Sequence, residues 1–433
     1  MKIPYLIILC ILLSLLSCKK DKVVKPDPEK PVSAVPLPDS VLFVNTVDQT
    51  SGATVLFVLN AATGASVTKY TYPADAGTTW SYPVTGNDLL YTLQTHKINA
   101  INMATGKLVW TDALNNALTP ILHQQTFFGV KQENTTSYEA YALDATRQTN
   151  DFLWKYKLPG APVQLNYYNG VVYVLTDVTH LTALDAKTGT AKWSVAAAAP
   201  LSLNAINDGA FIAGNTIYNA ATGVIIGTAG TINIPLFYGA GTIVRSQLLY
   251  ATPTVCYIKT GHYRPSAYSG YDFNQDFLSV VDIASGTEKQ RIKFGEGYIL
   301  VPTTNVITQM WNNKLIISQT HSETAKFYGY LASSRYGILP ADLSSELVTF
   351  EQEQRGVSSE YLIAGNRIFY FKVYWPASGI TPFVPGTPNL FLSVNLLTGQ
   401  QQWSSDKSFD DTKGPAMSAC VYTGGKGFSK YIQ

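Results

Sequence analysis

Beyond residue 40 the apolar positions fall in short runs, some alternating with polar residues and some continuous, and turn-forming residues break each one. Residues 161–198 show the pattern in its plainest form, as APVQLNYYNG, VVYVLTDV, HLTALDAKTG and TAKWSVAAA. Runs of this length bounded by Gly, Asn and Asp predict four strands of an antiparallel meander.

The meander repeats. Asn60-Ala-Ala-Thr63-Gly64 returns as Asn102-Met-Ala-Thr105-Gly106, Asp185-Ala-Lys-Thr188-Gly189 and Asn219-Ala-Ala-Thr222-Gly223. It returns again as Asp282-Ile-Ala-Ser285-Gly286 and Asn395-Leu-Leu-Thr398-Gly399, with weaker copies at Asp144 and Asp342. Eight four-stranded units of about 40–50 residues predict an all-β, eight-bladed β-propeller, with seven blades as the alternative.

The motif has a local reason. Asp or Asn at the end of a third strand can accept hydrogen bonds from the following turn's N–H groups, and Gly supplies the left-handed residue that closes it. Ala100, Ala142 and Ala183 leave room between sheets, while Trp110, Trp154, Trp193 and Trp403 fall on fourth strands, where a large ring covers the joint with the next blade. A buried indole N–H needs an acceptor, and a neighbouring carbonyl would serve.

Ala100-x-Asn102-x-x-Thr105-Gly106-Lys107-x-x-Trp110 and Ala183-x-Asp185-x-x-Thr188-Gly189-x-x-x-Trp193 resemble the tryptophan-docking repeat of quinoprotein-like (PQQ-repeat) propellers. The resemblance runs through nearly all of residues 41–433, although only four copies keep the Trp. LSVVDIASGTEKQ also resembles the repeat of lactonase-type, seven-bladed propellers. The first copy has room for three strands only, and the C-terminal GPAMSACVYTGGKGF is similar to a first strand. The chain end is therefore expected to complete the first blade and fasten the ring.

The N-terminus adds a location. Lys2 precedes an apolar run, Ile3–Leu16, too short to span a bilayer comfortably and suited to an export signal; a buried N-terminal element is the alternative. Leu15-Leu16-Ser17-Cys18 resembles the lipobox of bacterial lipoproteins, which implies cleavage before Cys18 and a lipid on its thiol and amine. Lys19 after the Cys implies, by the same resemblance, the outer membrane. Residues 18–40 carry the lipidated Cys and then a Pro- and Lys-rich stretch that cannot bury enough surface to fold. The expected organisation is a signal at 1–17, a tether at 18–40 and one propeller domain at 41–433.

Composition narrows the function. Only 14% of residues are charged and the net charge is +2, so there is no nucleic-acid footprint. Cys256 and Cys420 remain in the folded part, where two buried thiols are the expectation and a disulfide the alternative. His96, His123, His180, His262 and His321 show no metal-ligand spacing, and no nucleophile elbow or phosphate loop occurs. GGKG at 424–427 reads as a turn. A quinone enzyme of the resembled fold needs charged groups and a metal, often with adjacent cysteines; neither a Cys-Cys pair nor a clustered calcium-type ligand set is visible. Neither a cofactor nor a metal site is expected.

What varies between copies is where function is sought. Residues 251–277, 322–335 and 376–388 lengthen the last three periods and are expected between second and third strands, on the face opposite the Thr-Gly turns. Tyr257, His262, Tyr263, Arg264, Tyr268 and Tyr271 form the candidate binding loop, since aromatic and Arg side chains suit protein contacts and stack on sugars. Loops packing on one another are the plainer alternative. The expected function is a membrane-anchored, non-catalytic scaffold that binds an envelope protein. The propeller lipoproteins of the outer-membrane β-barrel assembly machinery are the resembled model. The alternatives are a glycan-binding module and a lyase- or lactonase-like site in the channel.

Overall fold

The computed structural model describes residues 37, 39–47, 53–72, 82–86, 89–94, 97–146, 152–229, 243–264, 272–295, 304–324, 330–345, 348–350, 357–372, 390–404, 416–423 and 426–428. The tether, Cys18 and the signal segment lie outside these residues. Leu37–Gln433 makes one compact unit.

Eight antiparallel sheets, all meanders, follow one another along the chain, seven of them four-stranded and one five-stranded. Blade 4 consists of Pro162–Tyr168, Val171–Thr176, His180–Asp185 and Ala191–Ala196, matching the four runs read from the sequence. The first strands of neighbouring blades touch, as Ile243–Ala251 of blade 6 does Thr304–Trp311 of blade 7, so first strands line the axis and fourth strands the rim. Apolar layers fill the wedges between sheets. One joins Phe128, Val130, Ala142 and Trp154 of blade 3 to Leu165, Tyr167 and Val172 of blade 4; another joins Leu42 and Phe57 of blade 1 to Phe369 and Trp403 of blade 8.

Closure combines the two chain ends. Ser40–Val47, Thr54–Asn60 and Ser66–Tyr72 supply three strands of blade 1, and Ala416–Thr423 supplies the innermost, pairing from Ser40↔Thr423 to Thr46↔Ala416. The sequence did not suggest the next step: Lys426–Phe428 turns back on Ala416–Thr423 as a fifth strand on the axial side. Thr423 pairs with Lys426, so GGKG contains a two-residue hairpin link.

Candidate functional site

The turns come first because they occupy one whole face. In blade 4 the Asp185 carboxylate accepts from the N–H of Lys187 at 3.1 Å, the N–H of Thr188 at 3.0 Å and the Thr188 hydroxyl at 3.1 Å. Asn102 does the same for Ala104 and Thr105 at 3.1 and 2.9 Å. Asp282 holds Ser285 at 3.0 Å, and Asn395 holds Leu397 at 2.8 Å. Gly106, Gly189, Gly286 and Gly399 all have φ near +70°, the left-handed conformation that a side chain resists.

Three tryptophans lock these turns to the preceding blade. The indole of Trp154 donates to the carbonyl of Ala186 at 2.8 Å, that of Trp193 to Ala221 at 3.0 Å, and that of Trp403 to Ala61 at 3.1 Å. Each ring lies flat on the next blade's turn glycine: a Cβ on Gly189 would fall 2.6 Å from Trp154, and one on Gly64 2.6 Å from Trp403. Opposite each ring in the register stands a small residue, Ala142, Ala183 or Ser393. Trp110 also packs against the cluster that joins blades 2 and 3, its ring 5.8 Å from that of Tyr91, but the turn that follows in blade 3 has no glycine for it to cover.

Other joints use tyrosine, which the motif search missed. Tyr70 covers Gly106 and donates to Met103 at 3.0 Å, taking the place of a Trp in blade 1. A second wedge sits at the third residue of second strands. Tyr91 donates to Ala145 at 3.1 Å, Tyr173 to Ala220 at 3.0 Å and Tyr257 to Ala341 at 2.9 Å, each on a turn of the next blade. Tyr257 therefore leaves the candidate binding loop. It is 1% exposed, and burial pushes its hydroxyl up to about 12, because it belongs to a blade joint.

The long periods are also built differently from the expectation. Residues 251–277 are not one loop: they contain the end of Ile243–Ala251, all of Val255–Arg264 and the start of Asp272–Asp282. Blade 7 likewise extends as paired strands, Lys314–Thr324 with Tyr330–Pro340. In blades 6 and 7 the described part of the extra length is thus paired backbone. Val255–Arg264 has 10 residues and Lys314–Thr324 has 11, against 6 for Val171–Thr176 in blade 4. Four to five extra residues at about 3.4 Å each carry these hairpins about 14–17 Å beyond the ring. Blade 3 extends too, less far, through the 9-residue Thr126–Asn134.

Since second–third links and third–fourth turns alternate, all three hairpins leave on the face opposite the Thr-Gly turns. His262, Tyr263 and Arg264 lie at the far end of the blade 6 hairpin, where they pair with Gln275, Phe273 and Asp272. Tyr268, Tyr271 and residues 376–388 lie outside the described residues. On the blade 3 hairpin, Glu139 lies 3.5 Å from Lys131 and 3.9 Å from Lys155, and both ammonium groups stand over the Phe152 ring.

Among the described residues no three His, Cys, Asp or Glu side chains gather as a metal set. His123 stacks on Tyr167 at 4.2 Å with its basicity lowered by burial, and His180 meets Ser194 at 2.8 Å. Cys256 and Cys420 are free and buried, and burial raises both thiols, that of Cys256 to about 11.

One carboxylate ties three blades. Asp208, in the 3₁₀ turn Ile206–Asp208 of blade 5, accepts a hydrogen bond from the Tyr250 hydroxyl of blade 6 and another from the Met310 N–H of blade 7. Burial raises its pKa despite those donors. The folded state therefore holds this proton more tightly than the unfolded chain. The resulting stability is complete below the unfolded value, about 3.9, and is lost as pH rises through the folded one. In urea titrations, the stability difference between the wild type and Asp208→Asn should shrink from pH 4 to pH 7. A pH-independent difference would contradict this account. Asp282 moves oppositely: the Lys289 ammonium, then Ser285, holds its pKa at about 2, so its contribution fails only as pH falls toward that value.

Comparison with known proteins agrees with this geometry. The family model described as outer membrane protein assembly factor BamB matches residues 44–231, from blade 1 to the end of blade 5. Over these residues the chain is a PQQ-repeat propeller similar to that assembly factor. Among solved structures, BamB from Moraxella catarrhalis aligns with 89% of this chain and 94% of its own at 11% identity, TM-score 0.32. AztD from Citrobacter koseri aligns with 90% of this chain and 98% of its own at 11% identity, TM-score 0.44. The dihydro-heme d1 dehydrogenase NirN, in complex with DHE, aligns with 92% and 78% at 11% identity, TM-score 0.49. No curated protein sequence matches. The family match ends before blades 6 and 7, so their extended hairpins lie outside the matched part.

Proposed function

We propose that this PQQ-repeat propeller is a lipid-anchored, non-catalytic scaffold of the bacterial outer membrane that binds an envelope protein. The observation that carries the reading is the pair of adjacent hairpins of blades 6 and 7. They carry paired backbone away from the ring, beyond the six residues with which the second strand of blade 4 joins it. The similarity to the assembly factor supports an envelope setting, and Cys18 after Leu15-Leu16-Ser17 supports the anchor. Rigid paired strands lose less entropy on binding than coil would, which suits a contact surface.

The test shortens both hairpins without touching the ring. Replacing residues 261–276 by Asn-Gly joins the paired Thr260 and Phe277, and replacing 320–334 joins the paired Gln319 and Arg335. Recovery of the co-purifying envelope protein from native membranes should fall at least tenfold, with the thermal transition retained. Undiminished recovery would overturn the reading.

A further inference from the structure

The joint between blades 5 and 6 differs from those at Gly64, Gly189 and Gly223, whose turn glycines lie under an indole, and at Gly106, which lies under Tyr70. Trp193 and Trp403 stand eight residues after Asp185 and Asn395, and Trp154, ten after Asp144, holds the same register position opposite Ala142 as Trp193 does opposite Ala183. In blade 5 the position eight residues after Asn219 is Gly227. The slot's inner part is closed from the other side, because a Cβ on Gly227 would meet the Ile283 side chain. The outer part is open. Gly286 has the same left-handed backbone as Gly64 and Gly189, yet among the described residues nothing lies within 4 Å of where its Cβ would stand. Gly286 is exposed, whereas Gly64 and Gly189 are buried under their rings.

Two further features bear on this joint. Val224 and Ile225, at the start of the strand carrying Gly227, are 60% and 56% exposed, as Leu108 is, at 54%, in the place of Ile225 in blade 2. The carbonyls of Ile283 and Ala284 occupy the motif positions from which Ala186 and Ala221 accept indole protons.

We propose that the open slot over Gly286 binds a tryptophan side chain of a partner protein, completing from outside the joint that Trp154, Trp193 and Trp403 complete from within. The chain itself supplies the argument for the occupant. At three joints a flat indole covers the turn glycine and gives its N–H to a turn carbonyl, and here no described residue covers the same backbone. The proposal rests on the protein-binding reading only for what carries the indole.

The probe is N-acetyl-5-fluorotryptophanamide, followed by ¹⁹F line broadening on adding the wild-type protein. Gly286→Ala places a methyl where the ring must lie, and Gly227→Trp with Ile283→Ala rebuilds the chain's own wedge. Saturable broadening with the wild type, weakened at least tenfold in both variants, is the expected result. Absence of broadening with the wild type, or equal binding by all three proteins, would overturn the proposal. Gly286→Ala keeps the test intact should the double variant fold poorly. Because no partner enters the measurement, its failure leaves the hairpin reading standing, and the reverse also holds.

Discussion

Deletion of residues 416–433 abolishes cooperative folding. Ala416–Thr423 is the inner neighbour of Ser40–Val47, so its loss leaves a bare strand edge on the axis of blade 1. It also uncovers Leu42, Phe43 and Val44, all 0% exposed, and removes the buried Cys420. Each such side chain is worth about 1.5–3 kcal/mol when buried. Several together rival the whole stability of a domain, about 5–15 kcal/mol. Blades 8 and 2 both pack on this strand, so the damage reaches two joints. Calorimetry should show the single heat-absorption peak replaced by a broad, early transition with aggregation. An unchanged midpoint would mean that the ring does not depend on its clasp.

The second large effect is at the Trp154 joint. Gly189→Ala meets two costs: about 1–2 kcal/mol for a side chain in the left-handed region, and about 1–3 kcal/mol for overpacking against the indole. Trp154→Ala should cost about 3–5 kcal/mol, since it empties a wedge and strands the Ala186 carbonyl. With the ring gone, the extra methyl has nothing to strike, so the double variant should be more stable than the sum of the two losses implies. Gly286→Ala, with an equal φ and open space above it, should lose only the backbone part. Urea midpoints of the four variants measure all of this. Equal losses at Gly189 and Gly286 would remove the wedge from the account.

The repeat was legible in the sequence because its chemistry is local. Asp185 caps a turn four residues long, Gly189 closes it, and Trp193 stands eight residues on, as Trp110 and Trp403 do from Asn102 and Asn395, so the strong copies can be found by counting. Strand order and the clasp then followed from the count. What escaped was set by register between distant segments. Tyr91, Tyr173 and Tyr257 share a wedge, but an inserted hairpin places Tyr257 much farther from its motif than Tyr173 is from Asp185, so spacing alone could not align them. The common Leu-Leu-Tyr, Val-Val-Tyr and Val-Cys-Tyr openings of the second strands were the available signal. The Asp208–Tyr250 bond and the axial strand Lys426–Phe428 depend on three-dimensional neighbours and left no linear trace. Residues 251–277 read as a loop because Gly and Pro punctuate them and polar residues predominate beyond Ile258, which leaves little apolar period to mark the strands.

Placing a photo-crosslinking amino acid at Tyr263, on the blade 6 hairpin, and separately at Lys187, on a Thr-Gly turn, tests the central claim most directly. In the native host, the account predicts one envelope protein crosslinked through position 263 and not through 187. Crosslinks to that protein from 187 alone, or none from 263, would contradict it.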